Sequence, residues 1–175
     1  GVDEGNDILH VEVQTDQRTE ENLSKSDFLL AKKVDVESSM EAVELNFAHK
    51  FSKLKIVLVP GDGENLEEIL ADDPQVVLTG TYTQADYHLA DENMDGLKTA
   101  TDILPYGSWS IEGEKLVGKE AIILPQELTA EGQSILLEWN GRIHTYSMPT
   151  VSMEAGMQCE IVVTATQSGN ETLTG

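Results

Sequence analysis

Short stretches in which apolar and polar residues alternate recur along most of this chain, and this pattern constrains its fold more than any other feature. A period of two is typical of a strand with one buried face. From residue 42 onward such stretches return every 8 to 15 residues, between turns rich in Gly, Asp, Asn and Pro. They predict strands near residues 42–48, 53–59, 75–80, 83–89, 107–111, 120–124, 133–139, 142–147 and 157–166. This spacing indicates an all-β fold, an antiparallel sandwich or barrel.

Local signals refine this expectation at three places. Asn140-Gly141 lies between two β-rich runs, as a two-residue hairpin turn requires. Residues Glu64 to Ala71 predict the one short helix, because acidic residues open the segment and Pro74 follows it. The charged stretch Gln14 to Lys25 shows no periodicity and is predicted to be a loop.

The alternating positions also predict the hydrophobic core. Its expected members are Val43, Leu45, Phe47, Leu54, Ile56, Leu58, Val76, Leu78, Tyr87, Leu89, Ile123, Ile135, Leu137, Cys159, Ile161 and Val163. Two stretches, 122–124 and 135–137, are apolar on both faces. Each is therefore either a central strand or a strand whose outer face packs on a neighbouring domain or strand.

The charge balance excludes one class of partner. The chain has 32 Asp and Glu against 11 Lys and Arg, a net charge of −21. Such a surface repels nucleic acid and anionic lipid, so we expect no nucleic-acid binding. The single cysteine, Cys159, cannot form an internal disulfide and is predicted to be a small buried hydrophobe.

One acidic segment matches the spacing of a Ca²⁺-binding loop. Asp91, Asn93, Asp95 and Asp102 fall at the loop positions that supply oxygen ligands, and Gly96 occupies the turn. Two departures weaken this interpretation, since the last ligand is Asp rather than the longer Glu and Lys98 stands where an apolar residue is usual. The flanks also indicate strand rather than helix. The alternative is an acidic, solvated loop.

Nothing in the sequence indicates catalysis. The histidines, His10, His49, His88 and His144, form no metal-binding pair, and there is no G-x-S-x-G or C-x-x-C motif. We therefore predict that the protein is not an enzyme. Tyr106, Trp109, Trp139 and Tyr146 offer an alternative role as a platform for sugar rings, although aromatic residues in strands more often pack in the core.

Two neighbouring segments carry a resemblance to a known family. They are Ser26-Asp27-Phe28-Leu29-Leu30-Ala31 and the run from Val43-Glu44-Leu45-Asn46-Phe47-Ala48-His49 to Ile56, and Thr15-Asp16-Gln17 precedes them. In this order they resemble the fimbrillins, the pilus and adhesin subunits of anaerobic Bacteroidetes. Val59-Pro60-Gly61-Asp62-Gly63, Thr83-Gln84-Ala85-Asp86-Tyr87-His88-Leu89 and Ile122-Ile123-Leu124-Pro125-Gln126 extend the resemblance along the chain.

The resemblance implies an architecture and a function. Fimbrillins have transthyretin-like Greek-key β-sandwich domains, are exported as lipoproteins to the outer surface of the outer membrane, and assemble by strand exchange. On this template, residues 1–41 are a remnant or the last strands of an N-terminal β-domain plus a linker, and residues 42–175 are the C-terminal sandwich. The expected partners are other pilus subunits, with a membrane reached only through a lipid anchor missing from this chain. The alternative is a surface lipoprotein that binds glycan or a host protein.

Strand exchange needs an open groove on the receiving subunit. The stretches 122–124 and 135–137, which are apolar on both faces, are the candidates for lining that groove. We therefore expect Ile122, Leu124 and Leu136 to lie beside a groove or a domain interface. This expectation fails if both strands are central and covered by residues of the same chain.

Overall fold

The computed structural model describes residues 2–3, 7–33 and 42–167, which form an all-β protein with two short helices. In chain order the elements are β1 (Val2–Asp3), β2 (Ile8–Glu12), α1 (Glu20–Lys25), β3 (Leu29–Leu30), β4 (Ala48–His49), β5 (Ser52–Pro60), α2 (Leu66–Ala71), β6 (Gln75–His88), β7 (Asn93–Ile103), β8 (Ser110–Glu112), β9 (Lys115–Ile123), β10 (Gln126–Leu128), β11 (Ser134–Trp139), β12 (Arg142–Ser147), β13 (Val151–Met153) and β14 (Gln158–Ala165).

The first sheet is organised by β6, which is 14 residues long. β6 pairs with β11 along Gln75–Thr79, with β2 along Gln84–His88, and with β7 over much of its length, all antiparallel. β12 continues the sheet beyond β11, and β1 continues it beyond β2. The predicted strands 75–80 and 83–89 are therefore one strand, which passes through Gly80 with φ +72° and a register shift.

The second sheet has the order β14-β5-β9-β8, with β14 parallel to β5 and the other pairs antiparallel. Both sheets contribute to one hydrophobic cluster, in which Leu54, Ile56 and Leu58 of β5 and Leu78 of β6 are fully buried. The predicted all-β sandwich is confirmed. Most of the predicted core is confirmed too, while Leu89 and Cys159 are only partly buried at its margin.

The predicted strand 42–48 is wrong over most of its length. Only Ala48 and His49 form a strand, and residues 42–47 pair with no strand among the described residues. Val43, Leu45 and Phe47, which alternation predicts in the core, are 46%, 50% and 64% exposed. Their alternation has the period of a strand, but burial also needs a neighbouring strand to cover the apolar face.

The prediction of one helix is also incomplete. α1 lies within the charged stretch that is predicted to be a loop, and Thr19 caps it by accepting a hydrogen bond from the amide of Asn22 at 3.2 Å. Glu20 and Glu21 occupy its first turn and Lys25 its last, which suits the helix dipole. α1 buries none of its residues completely, so its sequence carries no strong apolar periodicity.

α2 confirms the second helical segment, although it begins at Leu66 rather than at Glu64. The Asn65 side chain accepts hydrogen bonds from the amides of Glu67 and Glu68 at 2.9 and 3.1 Å, and Ile69 is fully buried beneath the helix. Replacing Asn65 by alanine is expected to lower the free energy of unfolding by about 1 kcal/mol, because two amides lose their acceptor. Urea denaturation measures this loss. Asn65→Asp should retain most of the stability, and an equal loss in both variants would contradict the capping role.

The expected domain boundary at residues 41 and 42 stays a prediction. The structure shows that β2, on the N-terminal side of this boundary, pairs with β6 on the C-terminal side. Val11 and Val13 belong to the same hydrophobic cluster as β5 and β11. The described residues 7–33 are thus an integral part of the sandwich. Neither described helix is long and apolar enough to cross a membrane.

Candidate functional site

Ser26 and Asp27 begin the segment 26–31, the first of the two that resemble the fimbrillins. Their side chains connect this segment to neighbouring parts of the chain. Ser26 is fully buried, and its hydroxyl accepts a hydrogen bond from the amide of Gln14 at 2.9 Å and donates to the carbonyl of Asn22 at 3.0 Å. The carboxylate of Asp27 lies 2.9 Å from Nδ1 of His49. The two segments are therefore linked by side-chain contacts across the two-stranded ribbon of β3 and β4.

Three aromatic rings anchor this ribbon on the sandwich. The ring centroid of Phe28 lies 5.4 Å from that of Phe51 and 5.1 Å from that of Tyr87, the latter in an edge-to-face arrangement. Phe51 and Tyr87 are buried, and the amide of Lys50 donates to the carbonyl of Phe28 at 2.8 Å. Such ring pairs contribute about 0.5–1.5 kcal/mol each beyond their area burial. The residues that carry the resemblance thus build a structural junction.

Gln17 completes the junction by acting in place of a strand. It is fully buried; its Oε1 accepts from the amide of Ile122 at 2.8 Å and its Nε2 donates to the carbonyl of Ile122 at 2.8 Å and to that of Gln14 at 3.0 Å. One side-chain amide therefore satisfies both backbone groups of Ile122 in β9. Sequence reasoning noted Gln17 only within the resemblance, because hydropathy gives no signal for a buried glutamine.

Gln126 satisfies the backbone groups of a strand residue in the same way in the other sheet. Its Oε1 accepts from the amide of Tyr82 at 2.9 Å, and its Nε2 donates to the carbonyls of Tyr82 and Leu124 at 3.0 and 3.1 Å. Tyr82 lies between the parts of β6 that pair with β11 and with β2. Gln126 therefore provides a hydrogen-bonding partner where neither of those strands does, and sequence reasoning missed it for the same reason.

Two surface depressions flank the junction. The first, of about 200 Å³, is lined by Asp27, His49, Phe51, Ile122 and Met157 among others. The second, of about 420 Å³, lies beside the Lys50–Glu92 ion pair, whose Nζ–Oε2 distance is 2.6 Å. The hydrogen bond to Glu92 raises the pKa of Lys50, so the ammonium stays charged at neutral pH. The first depression also contains Ser52 beside the Asp27–His49 pair, but the buried Ser52 hydroxyl donates to the carbonyl of Glu154 at 2.7 Å rather than to the imidazole.

The residues predicted to line a groove are mostly interior. Leu124 is fully buried, Ile122 is 7% exposed at the edge of the first depression, and Leu136 is partly buried in β11. β11 is central, between β6 and β12, and β9 lies between β5 and β8. β8 pairs with β9 only along Lys115–Val117, so Ile122 meets the Gln17 side chain rather than a strand on that edge. The position of these three residues beside a groove or a domain interface stays a prediction.

The four predicted Ca²⁺ ligands are not brought together. Asn93, Asp95 and Asp102 belong to β7, which is an extended strand rather than a compact loop. At about 3.3 Å per residue, Asp102 lies roughly 20 Å along the strand from Asp95. No group of three or more His, Cys, Asp or Glu within the described ranges could hold a metal ion. A Ca²⁺ site here stays a prediction that the structure does not support.

Three of the four histidines pair with aspartates on neighbouring strands or loops. His10 contacts Asp86 between β2 and β6, His49 contacts Asp27, and Nε2 of His88 lies 3.0 Å from Asp95 between β6 and β7. The three sites are exposed, and among the described residues no Ser or Cys nucleophile is hydrogen-bonded to any of these imidazoles. The His10–Asp86 and His88–Asp95 pairs are cross-strand contacts, and the His49–Asp27 pair joins β4 to the loop before β3.

The His88–Asp95 pair gives a testable pH dependence. The hydrogen bond to Asp95 raises the pKa of His88 above its ordinary value of 6.5. A raised folded-state pKa contributes stability that is present below the unfolded pKa and is lost as the pH rises through the folded value. NMR titration should show the His88 pKa falling in Asp95→Asn and unchanged in Asp62→Asn, a variant at an exposed carboxylate elsewhere. An unchanged His88 pKa in both variants would contradict the pairing.

The aromatic residues do not form an exposed platform for sugars. Trp109, Trp139 and Tyr146 are buried, and the indole nitrogen of Trp109 donates to the carbonyl of Pro74 at 2.8 Å. Tyr106 is partly buried. These side chains are instead part of the packing, as aromatic residues in strands commonly are.

Comparisons with known proteins agree with this architecture. A candidate cell adhesion protein from Bacteroides ovatus matches with a TM-score of 0.74 and 19% identity, covering 96% of this chain and 58% of its own. A second, from Bacteroides uniformis, matches with a TM-score of 0.66 and 22% identity, covering 95% of this chain and 63% of its own. The chain thus spans about three fifths of the length of these structures, and at such identities the likeness shows the fold alone. No curated protein matches.

A match to a protein-family model shows the family of this chain, which the structural matches alone do not show. The model described as fimbrillin-like matches residues 2–175, which is nearly the whole chain and includes both resemblance segments and the strands of both sheets. This protein therefore belongs to the fimbrillin-like family.

Proposed function

We propose that this chain is part of a structural and adhesive subunit of a cell-surface pilus and that it performs no catalysis. The observation that carries this function is the fimbrillin-like match across residues 2–175. The structural neighbours from two Bacteroides species, both described as candidate cell adhesion proteins, have the same fold. The resemblance segments build a packing junction of Phe28, Phe51 and Tyr87 rather than a reactive centre, which suits a structural role.

The proposed assembly mode is strand exchange between subunits. Strand exchange requires an extended segment with alternate apolar side chains on one partner and an unpaired strand edge on the other. Residues 42–47 have this alternation and are exposed. Among the described strands, β12 pairs only with β11 and β14 pairs only with β5, so each has a free edge.

The proposed location is the outer surface of the cell, with the subunit exported and held at the outer membrane through a lipid anchor. The partners are other pilus subunits. A net charge of −21 suits such an exposed surface, because it keeps the subunit soluble and repels nucleic acid.

Immunogold electron microscopy of the bacterium that encodes this protein tests the function. Antibody raised against the chain should place gold on filaments, along their length for a stalk subunit or at their ends for a tip or anchor subunit. Surface label without any filament would overturn the pilus function. It would favour the alternative, a surface lipoprotein that binds glycan or a host protein, for which a glycan array is the next measurement.

A further inference from the structure

The buried hydroxyl of Tyr87 lacks a hydrogen-bond partner within the described part of the chain. Tyr87 is only 3% exposed, and its hydroxyl makes no hydrogen bond. The ring packs edge-to-face against Phe28 in the junction, which restricts its movement. Leaving a buried hydroxyl unpaired lowers stability, and a phenylalanine would fill the same space without that loss. Packing therefore does not explain the hydroxyl, and a ligand is a candidate for its partner.

The hydroxyl lies at the floor of the larger of the two depressions that flank the junction. Lys50, Glu92 and Tyr87 are among the residues that line this depression. Burial raises the pKa of Tyr87, the ammonium of Lys50 lowers it and the carboxylate of Glu92 raises it, so both charged groups are close to the hydroxyl. The ammonium is its neighbour but is not aligned for a hydrogen bond with it. We call this depression the Tyr87 pocket.

Part of the wall of the Tyr87 pocket is apolar. Met153, which is 2% exposed, lines it together with Pro125 and with Met94, which packs against the hydrophobic cluster. Methionine side chains adapt to the shape of what they contact. The volume of about 420 Å³ falls within the range of about 300–1,000 Å³ that is typical of small-molecule sites. The pocket is therefore large enough for a small ligand and offers it an apolar surface.

The rim of the Tyr87 pocket combines hydrogen-bond donors with acceptors. Asn93 is exposed there and can both donate and accept, while Glu127 and Glu154 are exposed acceptors. The charged residues of the lining are Lys50 on one side and Glu92, Glu127 and Glu154 on the other, +1 against −3, which gives a net charge of −2. The pocket therefore suits a ligand with several hydrogen-bonding groups and repels one that carries negative charge.

We infer that the Tyr87 pocket binds a neutral sugar. Each sugar hydroxyl can donate to a carboxylate and accept from an ammonium or a phenol, and the C–H groups of the ring suit the wall of methionine and proline. A cationic ligand would satisfy the carboxylates but would place its charge beside the Lys50 ammonium, which flanks the hydroxyl. This site rests on the adhesive part of the function proposed above and names the class of ligand.

Access to the Tyr87 hydroxyl requires one side chain to move. The hydroxyl is buried, so a ligand must displace a neighbouring group to reach it. Lys50 is 18% exposed and has a flexible four-carbon stem, and it can turn towards solvent while it stays near Glu92. Sugar binding therefore exchanges the neighbourhood of Lys50 for a ligand hydroxyl that pairs with Tyr87.

Methionine methyl groups report on this pocket separately from the rest of the molecule. In NMR spectra of the full 175-residue chain with isotope-labelled methionine methyl groups, Met94 and Met153 report on the Tyr87 pocket. Met157 reports on the smaller depression and Met148 on the buried core. Titration with the methyl glycosides of glucose, galactose, mannose and N-acetylglucosamine should shift the Met94 and Met153 signals saturably for at least one of these sugars. The Met148 and Met157 signals should stay in place.

Tyr87→Phe tests the hydroxyl itself. This variant should weaken sugar binding about tenfold, because the ligand loses one buried hydrogen bond. It should fold normally, since the hydroxyl has no hydrogen bond in the described chain to lose. The matched control is Tyr106→Phe, which removes a hydroxyl from a partly buried tyrosine outside the pocket and should leave binding unchanged. Methyl glucuronide, an anionic sugar, and cadaverine, a diamine, are the comparison ligands and should bind more weakly than the neutral sugars.

Three outcomes would overturn the inference. The first is the absence of a saturable shift of Met94 and Met153 with any of the neutral sugars. The second is equal sugar binding by Tyr87→Phe and the natural chain, and the third is tighter binding of methyl glucuronide or cadaverine. Gold on filaments together with any of these results leaves the pilus function standing and removes only the sugar site. Saturable sugar binding without filaments on the cell leaves the site standing and removes the pilus.

Discussion

Replacing Gly118 by alanine is expected to lower the free energy of unfolding by about 3–5 kcal/mol, the sum of overpacking and backbone strain. Gly118 has φ +119°, and a Cβ atom there would lie 2.0 Å from the carbonyl oxygen of Ser108. The obstacle is backbone, so no side-chain rotation relieves the clash. Ser108 cannot retreat freely, because the next residue, Trp109, is buried and hydrogen-bonded to Pro74.

Gly107 lies against Gly118 in the same close contact between two backbone segments. A Cβ atom on Gly107 would lie 1.9 Å from the carbonyl oxygen of Gly118, and its own φ is +102°. Gly107→Ala should therefore destabilise the protein about as much as Gly118→Ala, and by the same cause.

Urea denaturation measures these losses, and Gly113 supplies the matched control. Gly113 lies in the turn between β8 and β9 and has φ +65°, and no other group lies within 4 Å of the position that a Cβ atom would take there. Gly113→Ala should cost only about 1–2 kcal/mol, the penalty of the left-handed conformation without a clash. Equal losses at Gly113 and Gly118 would show that conformation alone matters and would contradict the close backbone approach.

The second large effect is expected at Gln17. Gln17→Leu keeps a side chain of similar size but leaves the amide and carbonyl of Ile122 without their partner. Each unsatisfied buried group costs about 1–3 kcal/mol, so the loss should be about 2–5 kcal/mol. Gln158→Leu, at an exposed glutamine of β14, is the control and should change the stability by less than about 0.5 kcal/mol.

Gln17→Glu separates hydrogen bonding from packing. The carboxylate can accept from the amide of Ile122 but repels the carbonyls of Ile122 and Gln14, to which Gln17 donates. Burial and these carbonyls favour the protonated acid, so its folded-state pKa should be raised. Stability should then fall as the pH rises from about 4 to 7, relative to the natural protein. A loss that is independent of pH would contradict the proposed hydrogen bonds.

Alternation predicted most of the interior because it depends only on the period of a strand. Leu54, Ile56 and Leu58 alternate in β5, and all three are fully buried as expected. The same rule failed at Val43, Leu45 and Phe47, which have the same alternation but no strand among the described residues to cover them. The two-residue period of a strand determines which side chains share a face, whereas their burial depends on which other element packs against that face.

The candidate sites were less predictable, because each depends on residues distant in sequence. Asp91, Asn93, Asp95 and Asp102 have the spacing of a loop, but pairing with β6 draws the last three into an extended strand. Ile122 is predicted to lie beside a groove or a domain interface, but its sequence gives no sign that Gln17, 105 residues away, satisfies both of its backbone groups. Spacing along a chain cannot show which neighbour will satisfy a backbone group.

Local period and composition suffice to predict the all-β class, most of the buried face of each strand and the strong negative charge. They do not predict that Gln17 and Gln126 take the place of strand partners, or that Gly107 and Gly118 meet across a close backbone contact. These contacts join residues that are distant along the chain, and long-range packing brings them together. No local pattern specifies the partner of a buried amide or the separation of two backbone segments.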